Sequence, residues 1–501
     1  MKYTEEQLAI INSTQNRIKV NARAGSGKTK TCRGYIEKRT EGKTLYLVYN
    51  KSMKDDASIM FKGLSNVDIK TTYSMAYGSI GYQYKDRLTG NFSLYDLANI
   101  IGVRMANKDS YAYISKLLEA LNKYFSSHIK DISAFGISEG LNSKAVKDLN
   151  RAFKGMSKKN GKSPVPHGLY FKLWHLSNPD LSKYSTVIVD EFQDSTGVII
   201  DILKNNNDVK NMLVVGDEYQ NIYGFLHTVN GLDLLDWEEY RLTKSFRIGS
   251  QLSDEVQSLI SDANFKIEGV NAMQKVKATI DKSKPYFMLC RYNLTIIEES
   301  LVAIEEGKNV YIEGGYDGIG LAFINQIYNF RFFNKKSLNL MKYGSYEEML
   351  DVAKSSNDIK ILQADNLIKI YGKSLYYKLK LIKDSLIKDY SKADISFSTA
   401  HKSKGRTIDI PVLMADDFYE AFTRDETDFR QELNATYVAM TRANSDIQLF
   451  TCGVKDELFA RINKLERDWI NEVGSRGYDF ITEECNAQVM NDFAMEKANG
   501  Y

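Results

Sequence analysis

Apolar and polar positions change period several times along the chain, and each change marks an element. Glu5 to Asn12 reads as a helix, Ile18-Lys19-Val20 as an alternating strand, and Ala22-Arg23-Ala24-Gly25-Ser26-Gly27-Lys28-Thr29 as a loop of mostly small residues before a helix beginning near Lys30. Thr44 to Tyr49 reads as a buried strand, and Val67 to Thr71 as a third strand running into Thr72-Tyr73-Ser74. Strands alternating with helices predict an α/β fold, a parallel sheet with crossover helices. Around 81–168 the pattern turns polar and largely helical, with a basic, Gly-containing loop over Lys154 to Lys162 that is either solvated surface or a phosphate contact. The sheet pattern returns at Thr186 to Val189, which delivers Asp190-Glu191-Phe192-Gln193-Asp194, and at Met212 to Val215, which ends in Gly216-Asp217-Glu218-Tyr219-Gln220. Helical spacing dominates Tyr346 to Ala353 and Tyr376 to Leu386, and resumes after Lys455 to about Val473 before mixed polar sequence ends the chain.

The loop at 22–29 carries the first candidate chemistry. Small residues let successive backbone N–H groups face one concavity, and the helix behind adds positive potential, so the loop suits a polyphosphate. Lys28 would reach the β- and γ-phosphates, and the Thr29 hydroxyl would sit on Mg²⁺. Ala22 stands where a phosphate loop usually begins with Gly, which adds one methyl group to the pattern. The acidic strand end adds a partner: Asp190 is placed to hold Mg²⁺ through water, and Glu191 to take a proton from the water attacking the γ-phosphate. Gln220 can hydrogen-bond that phosphate or water. Tyr223 and Phe225 either stack on bases or fill a core, while Phe246 could cover an adenine ring and Arg247 reach a phosphate.

Composition narrows the class. A chain of 501 residues and 57.1 kDa predicts two to four domains. With 43% hydrophobic and 26% charged residues it can bury a sizeable core, and a net charge of +3 neither requires nor excludes nucleic acid. Four cysteines, Cys32, Cys290, Cys452 and Cys485, lie far apart without Cys-x-x-Cys spacing, which argues against a zinc site or a disulfide scaffold and for a reducing compartment. Acidic residues near Met1 do not suit a signal peptide, and no run of 18 apolar residues occurs. The expectation is an intracellular, cytoplasmic protein with no membrane partner, at a nucleoid or, for a viral protein, in the host cytoplasm.

Taken in order, Ala-x-Ala-Gly-Ser-Gly-Lys-Thr, Val-Asp-Glu-Phe-Gln-Asp, Val-Gly-Asp-Glu-Tyr-Gln-Asn-Ile-Tyr and Ser-Phe-Arg resemble the superfamily 1 helicases of the UvrD/Rep group. Ser398 to Gly405 and Tyr437 to Ala443 continue the match. Within the group, Tyr49-Asn50-Lys51-Ser52, Gly314-Gly315 and the compact stretch before Ala393-Asp394 look most like the helicase part of the F-box DNA helicases, although an F-box is not evident. The resemblance implies two RecA-like parallel-sheet domains, each with a mainly helical insertion. The first would take residues 1–80 and 169–250 around an insertion at 81–168; the second would take 251–312 and 394–455 around a compact insertion at 313–393, with a tail at 456–501. It also implies an ATP-dependent, DNA-stimulated motor moving 3′-to-5′ on single strands in replication, recombination or repair. The alternative is an ATP-driven loading or remodelling factor whose unwinding is weak or partner-dependent.

Carried onto this chain, the resemblance gives Gln7 the adenine edge and Ala24, Gly25, Ser26, Gly27, Lys28, Thr29 and Phe246 the nucleotide. Lys28, Glu191, Gln220, Arg247 and Arg442 become the catalytic set, and Thr29 and Asp190 hold the metal. Thr72, Tyr73, Tyr223, Phe225, His401 and Lys402 face DNA, with His401 otherwise a structural histidine. Single-stranded DNA and duplex junctions would be the substrates, and single-strand-binding or recombination proteins the partners. Three positions depart from the family: Tyr73 replaces a His, Leu226 an Arg, and Arg406-Thr407 a Leu-Glu pair after Gly405. The last removes a carboxylate near the cleft and resembles the branch of opposite polarity. Aromatics of the compact insertion, Tyr328, Phe330, Phe332 and Phe333, are read as core in preference to a DNA wedge.

Overall fold

The computed structural model describes residues 2–475 except 225–229, 263, 338–339, 342, 356–357, 424–427 and 452. Phe225 and Leu226 therefore lie outside the described residues, as does the sequence after 475.

Parallel strands buried on both faces are near-continuous apolar runs, and this chain has two sets of them. The first sheet uses β1 (Arg17–Ala22), β2 (Thr44–Val48), β3 (Val67–Thr71), β4 (Thr186–Val189), β5 (Asn211–Gly216) and β6 (Glu238–Leu242), in the order β3-β2-β4-β5-β1-β6. Every pairing is parallel, with β1 between β5 and β6 and Ile18 opposite both Leu213 and Glu238. Central β2 and β4 are buried at every position, whereas edge strand β6 exposes most of its residues. The second sheet uses β7 (Tyr286–Cys290), β8 (Val310–Ile312), β9 (Ile395–Thr399), β10 (Val412–Met414) and β11 (Ile447–Gln448), in the order β8-β9-β7-β10-β11 and again parallel. Two parallel sheets with crossover helices are the α/β arrangement expected of a RecA-like pair.

Four helices carry expected site residues, α1 (Glu5–Asn12), α2 (Lys28–Glu37), α3 (Thr72–Ser79) and α4 (Ala400–Ser403), and a fifth, α5 (Phe429–Met440), ends two residues before Arg442. The α1 terminus is a capping box in which Thr4 and Gln7 satisfy each other's backbone N–H. That box fixes where the Gln7 amide points.

Helices fill the stretch between β3 and β4, including Lys108–Ser126 and Ser143–Ser157. The second of these absorbs the first part of the basic segment: Lys154 sits in its last turn, with Ala152 and Met156 buried. The expected loop begins only after Ser157, because an amphipathic face overrides the Gly155 break. Between β8 and β9 lie Leu321–Phe333, Tyr346–Ser355, Ile359–Tyr371 and Leu375–Ser385. There Tyr328 and Phe330 are buried, Phe332 packs against the core, and Phe333 is 59% exposed. The two helical groups meet: the Tyr111 hydroxyl donates to Glu348 Oε1 at 3.1 Å and shares a 2.9 Å hydrogen bond with Tyr95.

One hydrophobic cluster joins the two sheets. It combines Ala24, Tyr219, Ile222 and Ile248 with Phe287, Leu289, Ala400 and the α5 residues Leu433, Tyr437, Val438 and Met440. Each fully buried large side chain contributes about 1.5–3 kcal/mol, so this shared core sets the carboxyl edges of both sheets against each other.

Candidate active site between the two sheets

In open parallel sheets ligands bind beyond the carboxyl ends of the strands. Here that edge of the first sheet supplies the loop after β1, Tyr49 after β2, Thr72 and Tyr73 after β3, Asp190 and Glu191 after β4, and Asp217 after β5.

The loop turns through two left-handed glycines, Gly25 with φ +72° and Gly27 with φ +81°. Space also demands them: a Cβ on Gly25 would lie 2.6 Å from Arg247 Cβ, and one on Gly27 would lie 2.9 Å from Gln7 Nε2. Gln7 Nε2 donates to the Ser26 carbonyl at 3.1 Å, and its Oε1 accepts from Thr4 N–H at 3.1 Å. The Phe246 N–H donates to the Gly25 carbonyl at 2.9 Å, and its ring, 42% exposed, edges the Gly27 position. Thr29 lies on the first turn of α2. Ser26 Oγ is buried without a hydrogen-bond partner. A cradle closed to any Cβ, with an orphaned hydroxyl and a lysine at its mouth, fits a polyphosphate.

Lys28 Nζ pairs with Glu191 Oε1 at 2.9 Å. Burial opposes the Lys28 charge, but Glu191, Asp190 and Asp217 raise its pKa above the ordinary value. Burial would likewise raise Glu191, yet Lys28 and Lys404 pull it down to about 2. Asp190 goes the other way: burial, with Glu191 beside it, pushes it up, and its Oδ2 accepts from the Tyr46 hydroxyl at 2.6 Å. Glu191 itself has φ +51°, a left-handed backbone rarely adopted by a non-glycine residue. Gln193 holds its second oxygen, donating from Nε2 to Glu191 Oε2 at 2.5 Å while accepting from Asp217 N–H at 3.0 Å.

Two arginines approach from either side of the seam. Arg247 Nη1 donates to the Thr441 carbonyl at 3.1 Å. Arg442, 1% exposed, donates from Nη2 to Gln220 Oε1 at 3.3 Å. Burial, with Arg247 nearby, lowers the Arg442 pKa to about 9. Gln220 Nε2 donates to Asp217 Oδ2 at 2.7 Å. The structure thus gathers Lys28, Glu191, Gln220, Arg247 and Arg442 around one seam.

Beside it opens a cleft of about 340 Å³ lined by residues of both sheets, among them Tyr49, Glu191, Tyr223, Glu313, Lys402 and Arg406. Tyr49 stacks on Tyr223 with planes 6° apart and centroids 5.9 Å apart, and the Tyr223 hydroxyl donates to the His401 carbonyl at 3.3 Å. Burial, then the charge of Arg291, lowers His401 to about 4, so the ring is neutral at physiological pH. Lys402 Nζ donates to the Glu313 carbonyl at 3.4 Å, and a Cβ on Gly318 would come within 2.6 Å of it. Thr72 opens α3, and Tyr73 stacks on Phe171 at 4.6 Å while remaining 39% exposed. Arg406 pairs with Glu313, which follows β8.

Sequence reasoning did not single out Arg23, Tyr46, Tyr49, Gln193, Asp217, Lys404 or Tyr437. Arg23 is 2% exposed, ion-paired to Asp217 and Glu218, and lies over the rings of Tyr219 and Phe265. Lys404 crosses the seam to Asp194 at 2.5 Å. All seven stood within or beside the quoted stretches, and position within a motif was the available signal.

The AAA domain family matches residues 6–226. The chain is 28% identical over 498 residues to F-box DNA helicase 1 of Gallus gallus, covering 88% of this chain and 48% of that protein. It is 25% identical over 514 residues to F-box DNA helicase protein 1 of Schizosaccharomyces pombe, covering 89% of this chain and 57% of the relative. The chain therefore spans about half the length of these relatives. The PRRSV helicase structure aligns over 89% of this chain and 54% of its own with 10% identity and a TM-score of 0.32, too slight a likeness to bear on the fold. The chain carries an AAA domain and is homologous over most of its length to the F-box DNA helicases, of the superfamily 1 UvrD/Rep type that its motifs resemble.

Proposed function

We propose that this chain is an ATP-driven DNA motor: a DNA-stimulated ATPase that moves 3′-to-5′ on single-stranded DNA and separates strands at duplex junctions, in replication, recombination or repair. The observation that carries the reading is the arrival of Arg442, two residues beyond the end of α5 on the second sheet's side, at Gln220 just after β5 of the first, beside the Lys28–Glu191 pair. Phosphoryl transfer is catalysed mainly by positioning and charge stabilisation. A site whose cations come from both sides of a seam hydrolyses ATP only when the seam is closed.

On this reading the loop from Ala24 to Thr29 holds the triphosphate, Gln7 and Phe246 border the base, and Thr29 and Asp190 hold Mg²⁺. The ion supplies neutralisation of β- and γ-phosphate charge. Lys28 is ion-paired to Glu191, and a triphosphate in the loop competes for it; Glu191 then becomes a stronger base. Glu191 takes the proton of the attacking water as the bond between the γ-phosphorus and the β,γ-bridging oxygen breaks. Lys28, Arg247 and Arg442 stabilise the charge that develops, and Gln220 reports the γ-phosphate.

Tyr73, Tyr223 and Tyr49 offer rings to bases, with Thr72, His401 and Lys402 along the same path. Stacking accepts any base, which suits a motor that must not stop at particular sequences. The 3′-to-5′ assignment rests on the resemblance of the motifs, and Arg406-Thr407 after Gly405 is the feature that speaks for the opposite polarity. Single-strand-binding or recombination proteins are the partners this activity implies.

The test is ATP hydrolysis with and without oligo-dT, followed by unwinding of duplexes with a 3′ or a 5′ tail. Stimulation with 3′-tail-dependent unwinding is expected. Stimulation without unwinding would assign a partner-dependent loading or remodelling factor, and 5′-tail dependence would reverse the polarity.

A further inference from the structure

We infer that the Tyr437 hydroxyl is a closure sensor, a positioning group that ties the phosphate loop and the catalytic base to the second sheet. The inference rests on the ATP-motor reading above. Tyr437 lies on α5 and is fully buried. Its hydroxyl accepts the Ala24 N–H at 3.1 Å and donates to Asp217 Oδ2 at 2.8 Å. Ala24 is in the phosphate loop and Asp217 follows β5, so one atom of helix α5 bridges two strand ends of the first sheet.

From Asp217 the connections fan out to the chemistry. Its Oδ2 also accepts from Gln220 Nε2, and Gln220 Oε1 accepts from Arg442. Its Oδ1 takes Tyr219 N–H at 3.3 Å and lies 3.6 Å from Arg23 Nη1. Its backbone N–H donates to Gln193 Oε1, and Gln193 holds the Glu191 oxygen not paired to Lys28. A continuous chain of hydrogen bonds therefore runs from α5 through Tyr437, Asp217 and Gln193 to Glu191.

Opening the seam would withdraw Tyr437 and leave the Ala24 N–H and one Asp217 lone pair without partners. A buried polar group deprived of its partner is costly, so the loop and Asp217 must rearrange when the sheets part. Tyr437 lies in the last turn of α5 and Arg442 two residues beyond its end, which makes alignment of the base and delivery of the arginine one event.

Tyr437→Phe removes one oxygen and keeps the ring packed against Tyr219 and Phe265. In wild type, a non-hydrolysable ATP analogue should change oligo-dT affinity, read by fluorescence anisotropy, by about tenfold, within the usual range of coupling between sites. In Tyr437→Phe that factor should fall to within about twofold of one, and oligo-dT-stimulated kcat should drop about tenfold, in the range for loss of one or two positioning hydrogen bonds. Asp217→Asn should weaken the same coupling, and the double variant should be no worse than the more severe single one, because both break one network. Wild-type coupling in Tyr437→Phe, or additive losses in the double variant, would overturn the inference. A merely structural role would lower thermal stability and specific activity while leaving the coupling factor unchanged, which overturns it equally. Absence of ATP hydrolysis by the wild-type chain would instead remove the proposed function.

Discussion

At the residue scale, the site is governed by pairs of charges held where water is scarce. Lys28 and Glu191 neutralise each other across 2.9 Å, and replacing either shows what each does. Lys28→Ala should abolish measurable hydrolysis, since it removes the cation that pairs with Glu191 beside the loop; Glu191→Gln should bind ATP and turn it over at least about 100-fold more slowly, the usual range for a general base. Rapid-quench assay of a single turnover reads both. A second buried charge lies away from the seam. Lys172 is fully buried, donating to the Ser127 and Ile129 carbonyls at 2.7 and 2.6 Å, and burial lowers its pKa to about 7. The unfolded chain keeps that proton to about pH 10, so between pH 7 and 10 the unfolded state binds more protons and stability rises with pH. Urea unfolding should show wild type gaining on Lys172→Met from pH 7 to pH 9. A constant difference would show that Lys172 stays charged in the fold.

At the element scale, the strand-loop-helix unit after β1 is the most local feature of the molecule and the most demanding of its residues. Gly25→Ala puts a methyl group into a left-handed position, at about 1–2 kcal/mol for the backbone alone. It also presses on Arg247 Cβ and Ser245 Oγ. The variant should melt lower in differential scanning fluorimetry and lose the upward shift that ATP gives to wild type. This unit was legible because its consequences follow from consecutive residues: small side chains, a helix start, and an alternating strand before it. The helix over Ser143–Ser157 was less legible, because Gly155 and the lysines around it read as loop until a packed neighbour is considered. Tyr223 also depended on context: its ring lies half-buried against Tyr49 and beneath Lys404, a placement that makes it neither plain core nor free surface.

At the scale of the whole molecule, the proposed activity would depend on how the two sheets meet. Lys404 pairs with Asp194 across the seam, with side chains 7% and 2% exposed, and also donates to the Gln220 carbonyl at 2.5 Å. Removing one partner of a buried pair costs about 3–5 kcal/mol because the other charge is stranded. Burial has already raised Asp194 to about 6 despite that lysine. Lys404→Met should favour the open arrangement. Single-molecule FRET between labels on the two sheets should shift towards longer distances, and oligo-dT-stimulated hydrolysis should fall by at least about tenfold, since a tenfold loss corresponds to only about 1.4 kcal/mol. Unchanged distances would show that the apolar cluster alone holds the seam. No described helix is long and apolar enough to cross a membrane.

The order of motifs, the α/β class and the chemistry available to Lys28, Asp190 and Glu191 could be read from the sequence, because each depends on neighbours a few residues away and on a strand's alternation. The partners of those groups could not. Ala24 meets Tyr437 across 413 residues, and Arg442 meets Gln220 across 222. Which hydroxyl satisfies a loop amide, which carboxylate pulls a lysine's pKa, and which glutamine meets an arginine are decided by burial and by the close approach of distant strand ends, and only the packed tertiary structure creates either.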